Sequence, residues 1–197
     1  MKLICLGDSL TFGYGVRLHQ RWTTLIGEKT GWDVVNLGIP GDTTGGMLAR
    51  LQVKIMPELA QYSFDTMPRV LVMGGGNDIL YSGTDSIARA NLGSILHQLL
   101  SAGVQPIALS PLPIAVQDVN SSWGRVVDFQ ASQALLIHYK QWMQHFCDAF
   151  GIPYIDLYDL FLQSDNSANP ALFIDGLHPT PEGHQLIAGS ICNHLIL

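Results

Sequence analysis

Three glycine-marked turns and one aspartate–histidine pair carry the residue types that acyl transfer needs. They are Gly7-Asp8-Ser9-Leu10, Gly38-Ile39-Pro40-Gly41-Asp42-Thr43, Gly74-Gly75-Gly76-Asn77-Asp78 and Asp175-Gly176-Leu177-His178. A serine hydroxyl is a weak nucleophile at neutral pH, so it needs an adjacent base to take its proton and donors to hold the oxyanion that forms. A carboxylate three residues before an imidazole can fold back in a tight loop and bond Nδ1, which leaves Nε2 free to face a serine. This assigns Ser9 as nucleophile, His178 as base and Asp175 as the group that orients the ring. The oxyanion donors would be the backbone N–H groups of Ser9 and Gly41 and the side-chain amide of Asn77, with glycine at 41 letting bare backbone approach a substrate oxygen. Asp8 and Asp42 receive supporting roles, Asp8 capping backbone donors and Asp42 holding the Gly41 turn, and Asp78 is read as stabilising its own turn.

Residues so far apart in the chain can meet only if the fold gathers their turns. Short apolar runs alternate with segments of helical period, the pattern of β-α units around a parallel sheet. Five strands are expected, at Lys2 to Leu6, Asp33 to Leu37, Arg69 to Met73, Gln105 to Leu109 and Tyr154 to Leu157. Helices are expected near Arg21 to Lys29, Thr44 to Leu59, Ser86 to Ala102, Val126 to Phe150 and from Pro181 onward. In the fourth, Leu135, Tyr139, Trp142, Phe146 and Phe150 recur at spacings of three and four, and this stripe is expected to face the sheet. Every strand of a parallel sheet presents its carboxyl end to the same edge, so the three turns should converge there.

The 197 residues suit one domain with a single core, since a chain of this size buries roughly 70% of its unfolded surface. No repeat, low-complexity tract or linker divides it. A net charge of −6 with only ten scattered Lys and Arg argues against a nucleic-acid partner. Cys5, Cys147 and Cys192 lie far apart, form no C-x-x-C pair and read as buried hydrophobes, not as a disulfide framework or a zinc site. Met1 to Leu6 run straight into the Gly7 turn, leaving no room for a signal peptide, and no apolar run reaches the ~20 residues a membrane span needs. A soluble, cytoplasmic protein is the expectation, and the residues leave its oligomeric state open.

The four motifs, in this order, resemble the blocks of the SGNH (GDSL) hydrolases. The first reads Gly7-Asp8-Ser9-Leu10-Thr11, the second centres on Gly41, the third reads Gly75-Gly76-Asn77-Asp78 and the last runs from Asp175 to His178. The similar layout extends from residue 2 to about 190, and Asn36-Leu37-Gly38 leading into Gly41-Asp42-Thr43 looks like the arylesterase and acyl-thioesterase branch. The resemblance implies a flavodoxin-like three-layer α/β/α sandwich with strand order 2-1-3-4-5, small-molecule ester or thioester substrates, and neither metal nor organic cofactor.

Other readings stand beside this one. Removal of acetyl groups from carbohydrates lies within the same chemistry, whereas an acyl- or glycan-binding module could keep the site as a relic. The glycines at 74 to 76 could cradle a phosphate, although neither Gly-Lys-Ser/Thr nor Gly-x-Gly-x-x-Gly follows. His184 is the rival base, but no acid stands three before it. His19, His97, His138, His145 and His194 read as surface positions, and Cys5 as too buried to ionise. Two longer connections, Pro111 to Arg125 and Tyr158 to Ile174, suit binding loops, and Leu112, Ile114, Val116 and Trp123 could line an acyl groove or simply pack locally.

Overall fold

A computed structural model describes residues 1–119 and 126–195. Its five strands are β1 (Lys2–Gly7), β2 (Asp33–Gly38), β3 (Arg69–Met73), β4 (Pro106–Leu109) and β5 (Tyr154–Ile155). They pair in parallel in the order β2-β1-β3-β4-β5. Successive side chains of a strand point to opposite faces, so one sheet feeds two cores. Ile4, Leu6, Val70, Val72 and Ala108 face one way, and Leu3, Cys5, Leu71, Met73, Ile107 and Leu109 the other. The first set packs against α3 (Thr44–Arg50), α6 (Ser86–Ser101) and α7 (Phe129–Phe150) through residues such as Met47, Ile95 and Leu136. The second packs against α2 (Trp22–Thr30) and α8 (Pro181–Leu195) through Trp22, Ile26, Ile187 and Ile191. This is the expected three-layer sandwich. Among the described residues no helix is long and apolar enough to cross a membrane.

Two departures from expectation are each explained by a hydrogen bond. The segment Thr44 to Leu59 is helical but not uniform: α3 runs into a wide turn over Leu51–Ile55 and then α4 (Met56–Leu59). Pro57 has no N–H to offer the carbonyl four residues back, and the Met56 N–H bonds Leu51 O, five residues back, so the helix opens one residue wider. β5 stops at Ile155 because the Leu157 and Tyr158 N–H groups turn to Ser110 Oγ, at 2.8 and 2.9 Å. Two short helices escaped the periodicity, α1 (Ser9–Phe12) and α5 (Gly76–Ser82), both beginning inside candidate turns.

The aromatic stripe of α7 is a correction. Tyr139 is buried as expected, but the other sheet-facing residues are Leu136, Met143 and Cys147, one position round the wheel from Leu135, Trp142 and Phe146. Trp142, Phe146 and Phe150 follow one another as tilted ring pairs, with centroids 5.1 and 4.6 Å apart. They lie beside α6, where a Cβ added to Gly93 would sit 3.4 Å from Phe146. The helix has two adjoining apolar faces, and the larger side chains mark the one that meets α6 instead of the sheet.

Candidate active site

Register brings the turns to one edge. Gly7 pairs with Gly38 on one side and with Met73 on the other, so β1, β2 and β3 end level. Ser9, Gly41 and Asn77 follow those ends by two, three and four residues.

Each turn is fixed by a carboxylate acting on backbone. Asp8 caps α1, its side chain accepting the Leu10 N–H at 2.9 Å, which starts a helix immediately after β1. The N–H of Ser9, at the first helical position, has no partner among the described residues, as the opening donors of a helix generally do not. Asp42 accepts the Thr43 N–H at 3.0 Å and is ion-paired with Arg50. Gly41 between Pro40 and Asp42 has φ +76°, a conformation that favours glycine, whereas a Cβ there would find open space with Tyr81 Oη 3.7 Å away. Backbone conformation, more than crowding, therefore selects this glycine. Its N–H also has no partner among the described residues.

The third turn is tied to the second. Asn77 Nδ2 donates to Asp42 O at 2.8 Å, leaving the second hydrogen of the amide to point elsewhere. Asp78 accepts the Thr44 N–H at 2.9 Å and its hydroxyl at 2.7 Å, so its role is structural, but it ties the third turn to the start of α3 instead of stabilising its own turn. The glycines before it make room for side chains. A Cβ on Gly75 would lie 2.6 Å from the Tyr139 ring, whose hydroxyl donates to Gly74 O at 3.1 Å.

The last turn closes the constellation. Asp175 Oδ1 accepts the Leu177 and His178 N–H groups at 3.1 and 2.9 Å, while its Oδ2 lies 2.8 Å from His178 Nδ1. The other ring nitrogen, Nε2, is 3.1 Å from Ser9 Oγ, across 169 positions of sequence. Burial alone would raise the Asp175 pKa, but hydrogen bonds from the His178 ring and from two backbone amides outweigh it and hold the carboxyl below its ordinary value. It is ionised beside the ring at neutral pH. Asp8 goes the other way: burial, opposed by the Leu10 N–H and by His178 and reinforced by Asp42 and Asp78, raises it to about 6.

These groups open on a cavity of about 520 Å³. Ser9, Gly41, Asn77 and His178 stand in its wall, and Leu112, Ile114, Phe129, Leu136 and Leu177 give it an apolar lining. Val116 is not in that wall but packs against the core, and Trp123 lies outside the described residues. Tyr14, whose ring centroid is 4.6 Å from that of His178, and Arg50 were not anticipated. Tyr14 has no helical or strand period to mark it, and Arg50 reads in sequence as one more helix-end cation.

His184 is not brought to the site. It is fully buried, with Nδ1 accepting the Trp22 N–H at 3.3 Å. Burial, with Arg21 and His178 nearby, lowers its pKa to about 4. The unfolded chain would hold that proton up to about 6.5, so the neutral ring's contribution to stability is complete above that pH and is lost as pH falls towards 4. Replacing His184 by Asn keeps an acceptor for Trp22. Relative to the parent, the variant should gain stability on acidification from pH 6.5 to 4.5 at up to about 1.4 kcal/mol per pH unit, read from urea midpoints; parallel curves would refute this. His19, His97, His138, His145 and His194 are all exposed, and Cys5 is buried with its thiol pKa pushed up.

Fold and site together define an ester-hydrolysing enzyme. Residues 5–186 match the GDSL-like lipase/acylhydrolase family, and the chain belongs to that family. It is 28% identical over 200 residues to an arylesterase of Vibrio mimicus, covering 99% of this chain and 88% of the relative. To the thioesterase 1/protease 1/lysophospholipase L1 of Escherichia coli it is 32% identical over 111 residues, 54% of this chain and 49% of that protein. Among solved structures, a carbohydrate acetylesterase of Sinorhizobium meliloti superposes with a TM-score of 0.80 at 18% identity, covering 99% of this chain and 98% of the other, a likeness of fold.

Proposed function

We propose that residues 1–197 form one catalytic domain that hydrolyses carboxylic esters or thioesters of small molecules through an acyl-Ser9 intermediate. The observation that carries this is the continuous contact from Asp175 through His178 to Ser9, opening on a cavity that Gly41 and Asn77 share. As Ser9 Oγ bonds the acyl carbon, its proton passes to His178 Nε2 and the carbonyl oxygen becomes an oxyanion. The backbone N–H groups of Ser9 and Gly41 and the free hydrogen of the Asn77 amide would receive that charge. Collapse breaks the bond to the leaving alcohol or thiol, which takes the proton from His178. Water then attacks the acyl-serine by the same route, releasing the acid and restoring Ser9.

Asn77 bears on the transition state more than on the substrate. Replacing it by Ala should lower kcat by about 100-fold with a much smaller change in KM; an effect confined to KM would refute the assignment.

The apolar lining supports an aliphatic or aromatic acyl group over a sugar. A second reading, removal of acetyl groups from carbohydrates, follows the activity named for the Sinorhizobium meliloti structure. Assay with p-nitrophenyl acetate, butyrate and octanoate, an acyl thioester and an acetylated oligosaccharide separates the two. The proposal expects kcat/KM to rise from acetate to the longer chains, and preference for the sugar acetate would favour the alternative. Absence of turnover on every ester would instead point to a binding module.

A further inference from the structure

The side chain of Arg50, the last residue of α3, is largely covered, and its one guanidinium reaches the ends of β1 and β2 and the turn that follows β2. Nε and Nη2 donate to Asp42 Oδ2, Nε at 2.9 Å. Nη2 also donates to Gly7 O at 2.8 Å, and Nη1 donates to Leu37 O. Gly7 O belongs to the peptide entering Asp8, one residue before the Ser9 N–H, and Leu37 is the last residue but one of β2, four before Gly41. Asp42 follows Gly41 directly, and its carbonyl accepts from Asn77 Nδ2. Thus each of the three proposed oxyanion donors is attached, within one to four residues or through one hydrogen bond, to a group that Arg50 holds. A guanidinium suits this because its planar fork presents five donors at fixed angles; an ammonium carries the charge but cannot span two carbonyls and a carboxylate in one plane.

We infer that Arg50 is a positioning residue for the oxyanion hole, fixing the spacing between the Ser9 and Gly41 N–H groups and, through Asp42, the Asn77 amide. The inference rests on the reading of Ser9 as nucleophile. Arg50 touches no substrate atom; it acts by keeping preformed donors aimed at the charge that develops.

The test compares Arg50→Lys with the parent on p-nitrophenyl butyrate, after circular dichroism has shown the variant folded. The expected result is a loss of about tenfold or more in kcat with KM within twofold, because the donors act in the transition state. A trifluoromethyl ketone, whose carbonyl carbon bonds Ser9 Oγ to give a hemiketal with its oxyanion in the same hole, should lose affinity by the same factor as kcat/KM. A structural role alone would not tie those two losses together. Should Arg50→Lys fail to fold, the double variant Arg50→Gln with Asp42→Asn leaves no lone buried charge and carries the same expectation. Unchanged kcat and inhibitor affinity in a folded variant, or a loss seen only in KM, overturns the inference. The underlying reading is checked separately: if Ser9→Ala retains parental turnover, that reading has failed, whereas labelled Ser9 with an indifferent Arg50 removes only the inference.

Discussion

Replacing Ser9 by Ala lowers kcat for a p-nitrophenyl ester by about 10⁴-fold or more and abolishes the acyl-enzyme burst, with little change in the urea midpoint. The size of the effect follows from the role proposed: without Oγ there is no atom to carry the acyl group, and the remaining donors can only assist direct attack by water. The small stability change follows from the structure. Among the described residues Ser9 Oγ makes one hydrogen bond, to His178, and the helix it opens is held by Asp8 capping Leu10, which the substitution leaves in place. Loss of a single part-buried hydrogen bond costs on the order of 1 kcal/mol. Retained burst kinetics in the variant would contradict the assignment.

Replacing His178 by Gln has an effect of the same order, about 10⁴-fold or more in kcat, because among the described residues no other base reaches Ser9. The rival imidazole, His184, is buried with Nδ1 committed to Trp22 and its pKa lowered. Glutamine can still hydrogen-bond but cannot take the serine's proton, so Oγ attack is left without a base and only a residual rate remains. Groups that act as one unit are not additive, and the double variant with Ser9→Ala should be hardly slower than either single one. A double variant slower by the product of the two factors would show that the two side chains act independently.

Much of this arrangement can be seen in the chain before any coordinates. The apolar runs at Leu3 to Leu6 and Val70 to Met73 have the length and two-faced burial of inner parallel strands, which is why they read clearly. β5 read too long because the end of a strand depends on who takes its next N–H, and Ser110, 47 residues away, is not visible from Leu157. The strand order came from family resemblance, since periodicity carries no information about neighbours in a sheet. The α7 stripe misled for another reason: residue size marked the face against α6, whereas the less conspicuous Leu136, Met143 and Cys147 meet the sheet.

The site divides in the same way. Asp175 and His178 announce themselves because three residues suffice to fold the carboxylate back on the ring, so local spacing encodes a local bond. Asp8 capping Leu10 is equally local. Arg50 was silent because its partners, Gly7, Leu37 and Asp42, come together only after two strands have paired. Tyr14 beside His178 and the Phe129 and Leu136 wall of the cavity are likewise products of tertiary packing. Motif spacing finds bonds a few residues long, and the rest of a site requires the fold.

The most direct test is to react the protein with a fluorophosphonate and locate the adduct by peptide mass spectrometry. The account predicts one adduct per chain, on Ser9, formed in step with loss of esterase activity, absent from Ser9→Ala and greatly slowed in His178→Gln. Inactivation accompanied by modification of any other residue while Ser9 stays free would contradict it.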